Sequence, residues 1–353
     1  MRVLHIAYQQ LRRYGATRVS WAQKLTNGLI RNHHNVLVYS DRDVAAFEAP
    51  LGIRDLGKKA ANTKLLETAK AYEPDVIIAG HCDMISNATL AQLREQHPDV
   101  RIAHCNNDPL FVPSNVARIH SRAEVADAVF VSTGRRELTQ FEGSRARVYH
   151  MPNPVDPAVE NLHNHTAQHL DIDLLFCSNS DEFTERLRNV KWLKDQLGNQ
   201  LNFKTFGSFG EPPVWGRDYD RVLARTRMGL NFNRQEGDYW YSSARMAQLA
   251  GNGILQFTHA SARFDELMPD ETLVYYQSIE ELKDQIQRFN ANNELCQSWA
   301  ANTRAFFHEQ MNATLYAQYI LEATTLTPFS HPYVWAQDIQ LDGQLNEPAQ
   351  ASA

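Results

Sequence analysis

The sequence predicts an α/β protein made of two doubly wound parallel-sheet domains. Short β-branched runs alternate with amphipathic helical stretches along most of the chain, the pattern of parallel sheets covered by helices on both faces. A proline-bearing turn followed by a polar run interrupts that alternation near mid-chain, as a linker does. At 353 residues the chain is also long for a single core, so two domains are expected.

Taken in order, the strand-like pieces of the first half are Val3–Tyr8, Asn35–Tyr39, Val76–Ala79, Arg101–His104, Ala128–Val131 and Val148–Met151. Helical patterns fall between them at Arg18–Asn32, Thr63–Tyr72, Asn87–Gln96, Val116–Ala126 and Arg135–Phe141. Polar residues then run to Asp171, and the alternation restarts at Ile172. Its strands are Leu174–Cys177, Asn202–Thr205, Gly229–Asn233, Ile254–Phe257 and Leu273–Tyr275. Its helices are Thr184–Leu197, Tyr219–Arg225, Ser242–Ala250, Ile279–Asn290, Asn293–Gln310 and Thr314–Thr324. The expected division is a first domain over 1–156, a linker over 157–171, a second domain over 172–326 and a tail over 327–353. The Gln-, Ala- and Asn-rich composition beyond about Asp338 predicts disorder there.

A hydrophobic fraction of 43% and a charged fraction of 22% are those of a soluble globular protein. The net charge of -6 argues against a nucleic-acid partner, although Arg12, Arg13 and Arg18 cluster near the start. No run is apolar enough to span a bilayer, and the opening residues lack the organisation of a secretory signal. Cys82, Cys105, Cys177 and Cys296 form no C-x-x-C pair, which suits free thiols in a reducing, cytoplasmic setting.

The most informative stretch is Gly229 to Ile286, where strand, polar turn, helix and glycine stop follow in order. A turn from a parallel strand into a helix N-terminus is a ready phosphate site, because backbone N–H groups and the positive dipole end point there. Ser242 and Ser243 stand at the expected helix start, with Arg245 in its first turn. The run Arg245-Met-Ala-Gln248-Leu-Ala-Gly251-Asn-Gly253 resembles the R-x-x-E-x-x-A/S-x-G segment of GT-B glycosyltransferases, closest to the group-1, CgeB-like (spore-maturation-type) branch. Phe264-Asp-Glu-Leu, Leu273-Val-Tyr-Tyr and Ser278-Ile-Glu-Glu-Leu continue the likeness, and Pro152-Asn-Pro-Val-Asp156 resembles the hinge closing the first domain of that family.

The resemblance implies two Rossmann-like domains facing across a cleft, and transfer of a sugar from a nucleotide-sugar donor to a hydroxyl on a glycan, lipid-linked or small-molecule acceptor. It implies no cofactor and no metal. The commonest setting of such enzymes is bacterial surface polysaccharide or glycoconjugate synthesis, in the cytoplasm or peripherally at the inner face of the membrane. Donor contacts implied on this sequence are Arg186, Asn233, Tyr241, Ser242, Ser243, Arg245 and Gln248. Gln248 replaces the acidic residue that binds the ribose in the family; an amide still hydrogen-bonds but carries no charge.

Residues just after strands rank highest in α/β folds, since ligands bind at the carboxyl ends of strands. On the first domain these include Gly15, His81 and Asp83, candidates for acceptor contact, and His104 and Asp108. A base must take the acceptor's hydroxyl proton on an inverting route, and Asp108 is the first candidate, His104 the second. Asp108 equally suits a turn cap before Pro109, and His104 a packed strand end. Arg188 is an alternative to Arg186, and Trp215 and Tyr219 are candidates to stack a base. Asp41-Arg-Asp43 and Asp171-Ile-Asp173 match a D-x-D metal string but lie away from the expected diphosphate site, and His163, His165 and His169 sit in a polar linker. The same architecture also serves sugar-nucleotide epimerases, phosphorylases and non-catalytic nucleotide-sugar binders.

Overall fold

The computed structural model describes residues 1–17, 20–179 and 184–336. Its first sheet comprises β1 (Arg2–Ile6), β2 (Asn35–Tyr39), β3 (Val76–Ala79), β4 (Arg101–Asn106), β5 (Ala128–Val131) and β6 (Arg147–His150), in the order β2-β1-β3-β4-β5-β6. The second comprises β7 (Ile172–Cys177), β8 (Phe203–Phe206), β9 (Thr226–Leu230), β10 (Leu255–His259) and β11 (Val274–Tyr276), in the order β11-β10-β9-β7-β8. All pairings are parallel. The central strands are apolar on both faces: β3 and β5 are buried throughout, as a sheet sandwiched between helical layers requires. Winding reverses between β1 and β3 in one sheet and between β7 and β9 in the other, which opens a crevice at each place.

The first half supplies, among the described residues, α1 (Ser20–Arg31), α2 (Asp41–Glu48), α3 (Lys58–Tyr72), α4 (Asn87–Gln96) and α5 (Pro113–Ala123). The second half supplies α6 (Glu185–Leu197), α7 (Gly216–Leu223), α8 (Ala244–Gly251), α9 (Ile279–Ala291), α10 (Asn293–Gln310) and α11 (Ala313–Thr325). Several starts are fixed by side-chain caps. Ser86, Ser278 and Asn312 accept backbone N–H groups at the heads of α4, α9 and α11, satisfying donors that have no partner within the helix.

Three elements depart from the sequence reading. α2 was not expected, because its polar start reads as a loop. Residues 135–141 form tight 3-10 turns rather than an α-helix. The last helix, expected to close the second domain, packs against α1, β4 and β5 of the first. Its reason is composition: α11 buries Tyr316, Ala317, Tyr319, Ile320 and Leu321, and this apolar girth needs a face on each side. Tyr319 stacks edge-on against Phe130 and Tyr149 of the first sheet, and Trp21 Nε1 donates to the Tyr316 hydroxyl at 2.9 Å. Residues 327–336 extend this cover, burying Tyr333 and Trp335; the expectation of a disordered tail beyond Asp338 lies outside the described residues.

The chain crosses between the halves twice, side by side. Val155 N donates to the Met311 carbonyl at 3.0 Å, and Ala313 N donates to the Val155 carbonyl at 2.8 Å. Around this double strap lie two ion pairs. Arg31 grips Asp156 through two bonds of 2.7 and 2.9 Å, and Lys24 meets Glu160 at 2.6 Å with both side chains buried.

Candidate functional site

Arg245 lies at the winding reversal of the second sheet. Its guanidinium donates to the Phe232 carbonyl beyond β9 at 2.6 Å and to the Cys177 carbonyl ending β7 at 3.0 Å. Two fixed carbonyls thus aim a half-buried cation into the crevice. Arg186, on the first turn of α6, flanks the same Phe176 ring: its guanidinium carbon stands 5.8 Å from the ring centre and that of Arg245 stands 5.4 Å from it. Burial, with Arg245 and Arg234 nearby, pulls the Arg186 pKa down to about 10, and its Nε has no hydrogen-bond partner among the described residues. Arg186, Arg245 and Arg234 thus stand together with Glu236 as the acidic neighbour that counters them, an arrangement in which an anion would be bound favourably. Arg188 is exposed on α6, so of the two arginines only Arg186 faces the crevice.

The two serines expected to hold the donor are engaged otherwise. Ser243 is the N-cap of α8: its hydroxyl accepts from Met246 N at 3.2 Å and donates to Asn231 Oδ1 at 3.0 Å. Ser242 is fully buried and ties the halves together. Its N donates to the Ser132 carbonyl at 3.1 Å, its Oγ accepts from Asn153 N at 3.0 Å, and its carbonyl accepts from Asn153 Nδ2 at 2.5 Å. The helix begins two residues later than the sequence suggests because Ser243, not Ser242, satisfies its first-turn donors. Gln248, one turn into α8, accepts from the Tyr219 hydroxyl at 3.3 Å; Trp215 is exposed close by.

A cleft of about 610 Å³ continues from Arg186 past Asn233 and Glu236 to His259, Tyr276 and Ser278. Asn233 is buried, its Oδ1 has no partner among the described residues, and its N donates to Glu236 Oε1 at 3.0 Å. Burial, against which the Asn233 hydrogen bonds and His259 work, raises the Glu236 pKa. Sequence reasoning missed Glu236, His259 and Ser278. His259 ends β10 and Ser278 follows β11, so the strand-end rule applied to the first domain would have found both.

The first domain presents His81 and Asp108 at the ends of its strands, with His81 Nδ1 at 3.5 Å from Asp108 Oδ2. Arg118 donates to the same oxygen at 3.2 Å. Burial lowers the His81 pKa despite the opposing pull of Asp108, so the imidazole is neutral near pH 7 and able to take a proton. Tyr241 is close enough for Asp108 to contribute, after burial, to a pKa of about 12. Asp83 is held by Arg42 at 2.7 Å. Burial would raise its carboxyl, and the Arg42 bond reverses this. His104 lies elsewhere: it is buried within β4, its Nδ1 faces the Ala79 carbonyl at 3.0 Å, and burial drives its pKa down to about 3. A strand-interior position explains this, since β4 runs on to Asn106. Gly15 is exposed on the loop after β1, and this loop touches the second domain. A Cβ on Gly216, whose φ is +51, would come within 2.7 Å of the Ala16 carbonyl. Arg18 lies outside the described residues.

The acidic strings are structural. Asp41 Oδ2 accepts from Met84 N at 3.2 Å, and Asp43 Oδ2 accepts from Leu11 N at 3.0 Å. Among the described residues no cluster of His, Cys, Asp or Glu could hold a metal, and no helix is long and apolar enough to cross a membrane.

Residues 186–322 match the family model described as Glycosyl transferase-like. No curated protein matches the chain in sequence. Among solved structures, HepE from Anabaena in complex with UDP and glucose superposes with a TM-score of 0.55 at 14% identity, covering 91% of this chain and 98% of its own. Sucrose-phosphate synthase from Thermosynechococcus elongatus gives 0.59 at 14% identity, with 91% and 98% coverage. AviGT4, a glycosyltransferase involved in avilamycin A biosynthesis, gives 0.56 at 13% identity, with 93% and 99% coverage. The chain thus has the two-domain GT-B architecture almost throughout, and its second half carries a glycosyltransferase-like segment.

Proposed function

We propose that this protein moves a sugar from a nucleotide-sugar donor to a hydroxyl acceptor. The observation that carries the reading is the cation pair Arg186 and Arg245 at the β7/β9 reversal, beside the N-terminus of α8. The diphosphate of the donor binds there, and the two guanidiniums with the helix dipole stabilise it as the leaving group, without a metal. The complex of HepE with UDP and glucose, on the same architecture, supports a UDP-sugar as donor. Tyr219 and Gln248 face the nucleoside, with an uncharged amide where the resembling family carries an acid.

His81 and Asp108 form the acceptor side. Asp108 orients His81, whose neutral imidazole takes the acceptor's proton as the glycosidic bond forms. Gly15 and Asp83 border the acceptor. Closure of the two halves excludes water that would hydrolyse the donor. The setting we favour is bacterial surface polysaccharide or glycoconjugate synthesis, in the CgeB-like branch, in the cytoplasm or against the inner face of the membrane.

The test is a panel of UDP-, GDP-, ADP- and CMP-sugars with plausible glycan, lipid-linked and small-molecule acceptors, read by donor binding, hydrolysis and transfer. Transfer from one donor class supports the reading. Gln248 favours one rival, a nucleotide-sugar binder without turnover, for which the panel would give binding alone. Interconversion of the free sugar nucleotide would point to an epimerase.

A further inference from the structure

A second cavity, of about 450 Å³, lies at the amino ends of β7 and β9, whereas Arg245 anchors beyond their carboxyl ends. Its size suits a small metabolite. Its walls are the linker from Asn164 to Asp171, the start of β9 at Arg227, Gly253 behind α8, and Asn293, Cys296, Gln297 and Ala300 of α10. These last four recur at the three- and four-residue spacing of one helix face. Gln297 Nε2 donates to the Ala167 carbonyl at 3.2 Å, which ties that face to the linker.

Arg227 supplies the charge. Its side chain is 17% exposed, and its hydrogen bonds, both to Asn290, leave through Nη2. Nε and Nη1 have no hydrogen-bond partner among the described residues. The neighbouring carboxylates are engaged. Both oxygens of Asp171, which lines the cavity, accept from Arg225. Asp173 Oδ2 accepts from Asn202 N at 2.8 Å, and its Oδ1 lies 3.9 Å from Arg227 Nη2, beyond hydrogen-bonding distance. A guanidinium with spare donors suits an oxyanion. Beside it, Gly253 at φ +70 leaves room that a Cβ would take from His165 Nδ1, and that nitrogen also has no partner among the described residues. His169 is exposed at the rim. Imidazoles and amides can both donate to and accept from hydroxyls.

We infer that this cavity binds a small phosphorylated polyol, with the phosphate on Arg227 and the hydroxyls on the imidazoles and amides of the linker and α10. The linker is also bonded to the end of α8, where Asn164 N donates to the Asn252 carbonyl at 3.1 Å. A bound ligand therefore adds contacts between the linker and α10 next to α8. The inference stands on this cavity alone and survives if the sugar-transfer reading fails.

The experiment is calorimetric titration of the full chain with glycerol phosphate, beside glycerol and inorganic phosphate. Glycerol phosphate should bind at about 1 mM or tighter and raise the thermal midpoint. Inorganic phosphate should bind about fivefold more weakly or less, and glycerol should not bind. His169→Glu, an exposed change that sets a carboxylate at the rim, should weaken binding about fivefold or more, and Arg227→Gln about tenfold or more. Arg186→Gln should leave it unchanged, and saturating UDP should not compete. No binding of glycerol phosphate up to about 10 mM, equal binding of inorganic phosphate or glycerol, or binding indifferent to either His169→Glu or Arg227→Gln would overturn the inference. Loss of binding in Arg186→Gln, or competition by UDP, would overturn it in favour of the candidate donor site. Should Arg227→Gln not fold, His169→Glu decides alone.

Discussion

Asn153 meets Ser242 through both its backbone and its side-chain amide, at 3.0 and 2.5 Å, so the hinge of the first domain is bonded to the residue just before the cap of α8. The turn at the candidate phosphate site is thereby referenced to the opposite domain. Ser242→Ala removes the acceptor for Asn153 N and leaves a buried donor unsatisfied, which costs about 1–3 kcal/mol. Denaturant melts should show that loss, and the effect of Asn153→Ala should be non-additive with it. Nucleotide affinity should change less than about twofold in Ser242→Ala if the hydroxyl touches no ligand.

Arg186→Gln should weaken nucleoside diphosphate binding about tenfold to a hundredfold, the range for losing a charge-assisted hydrogen bond. Calorimetric titration reads this directly. Arg245→Lys should weaken binding similarly, because one ammonium cannot hold both the Phe232 and Cys177 carbonyls and still face the crevice. Unaltered affinity in folded Arg186→Gln protein would place the phosphates elsewhere.

Asp108→Asn should spare donor binding and lower kcat about a hundredfold or more, as losing the orienter of a general base does. His81→Gln should do the same and also remove the acidic limb of the kcat pH profile. His104→Gln should retain kcat within about twofold, since His104 faces the Ala79 carbonyl inside the sheet. Steady-state kinetics on the three variants separates the two histidines.

Acid should destabilise the fold. His5, His104 and His150 are buried, and burial holds their pKa values at about 4, 3 and 4 against an ordinary 6.5. Their folded values are depressed, so the unfolded chain binds more protons below pH 6.5. Stability is full above that pH and falls as the pH drops toward 4, by about 1.4 kcal/mol per histidine per pH unit. Asp41, raised by burial to about 6, works in the opposite direction between pH 6 and 4 and softens the slope. Melting midpoints from pH 7.5 to 5 should decline, and His104→Gln should flatten the decline by about one proton.

Most of the fold was legible because hydrophobic period and strand–helix alternation report burial directly, as at α4 and α10, whose bounds match the expected ones. What sequence order does not encode is partner choice. α11 is equally apolar whichever sheet it covers, and only the three-dimensional path of residues 311–313 beside Val155 sends it to the first. The site was legible only in part: Arg186 and Arg245 meet at the Phe176 ring, and His81 and Asp108, both just after strands, meet each other. Ser242 and His104 were misplaced by one or two residues of register, since an N-cap and a strand end shift by that much without altering the pattern. Asp41 and Asp43 match a D-x-D string in sequence, and their structural part was not legible there because an acid buried against backbone N–H groups looks, in sequence, like any exposed one.

The return of α11 to the first sheet sets an order of events during synthesis. Phe130, Tyr149 and Trp21 gain their cover only when residues beyond 313 have emerged. Until then the nascent first half exposes an aromatic face to solvent while the second half is still being made. A fragment truncated before α11 should therefore aggregate even though it contains every strand of both sheets.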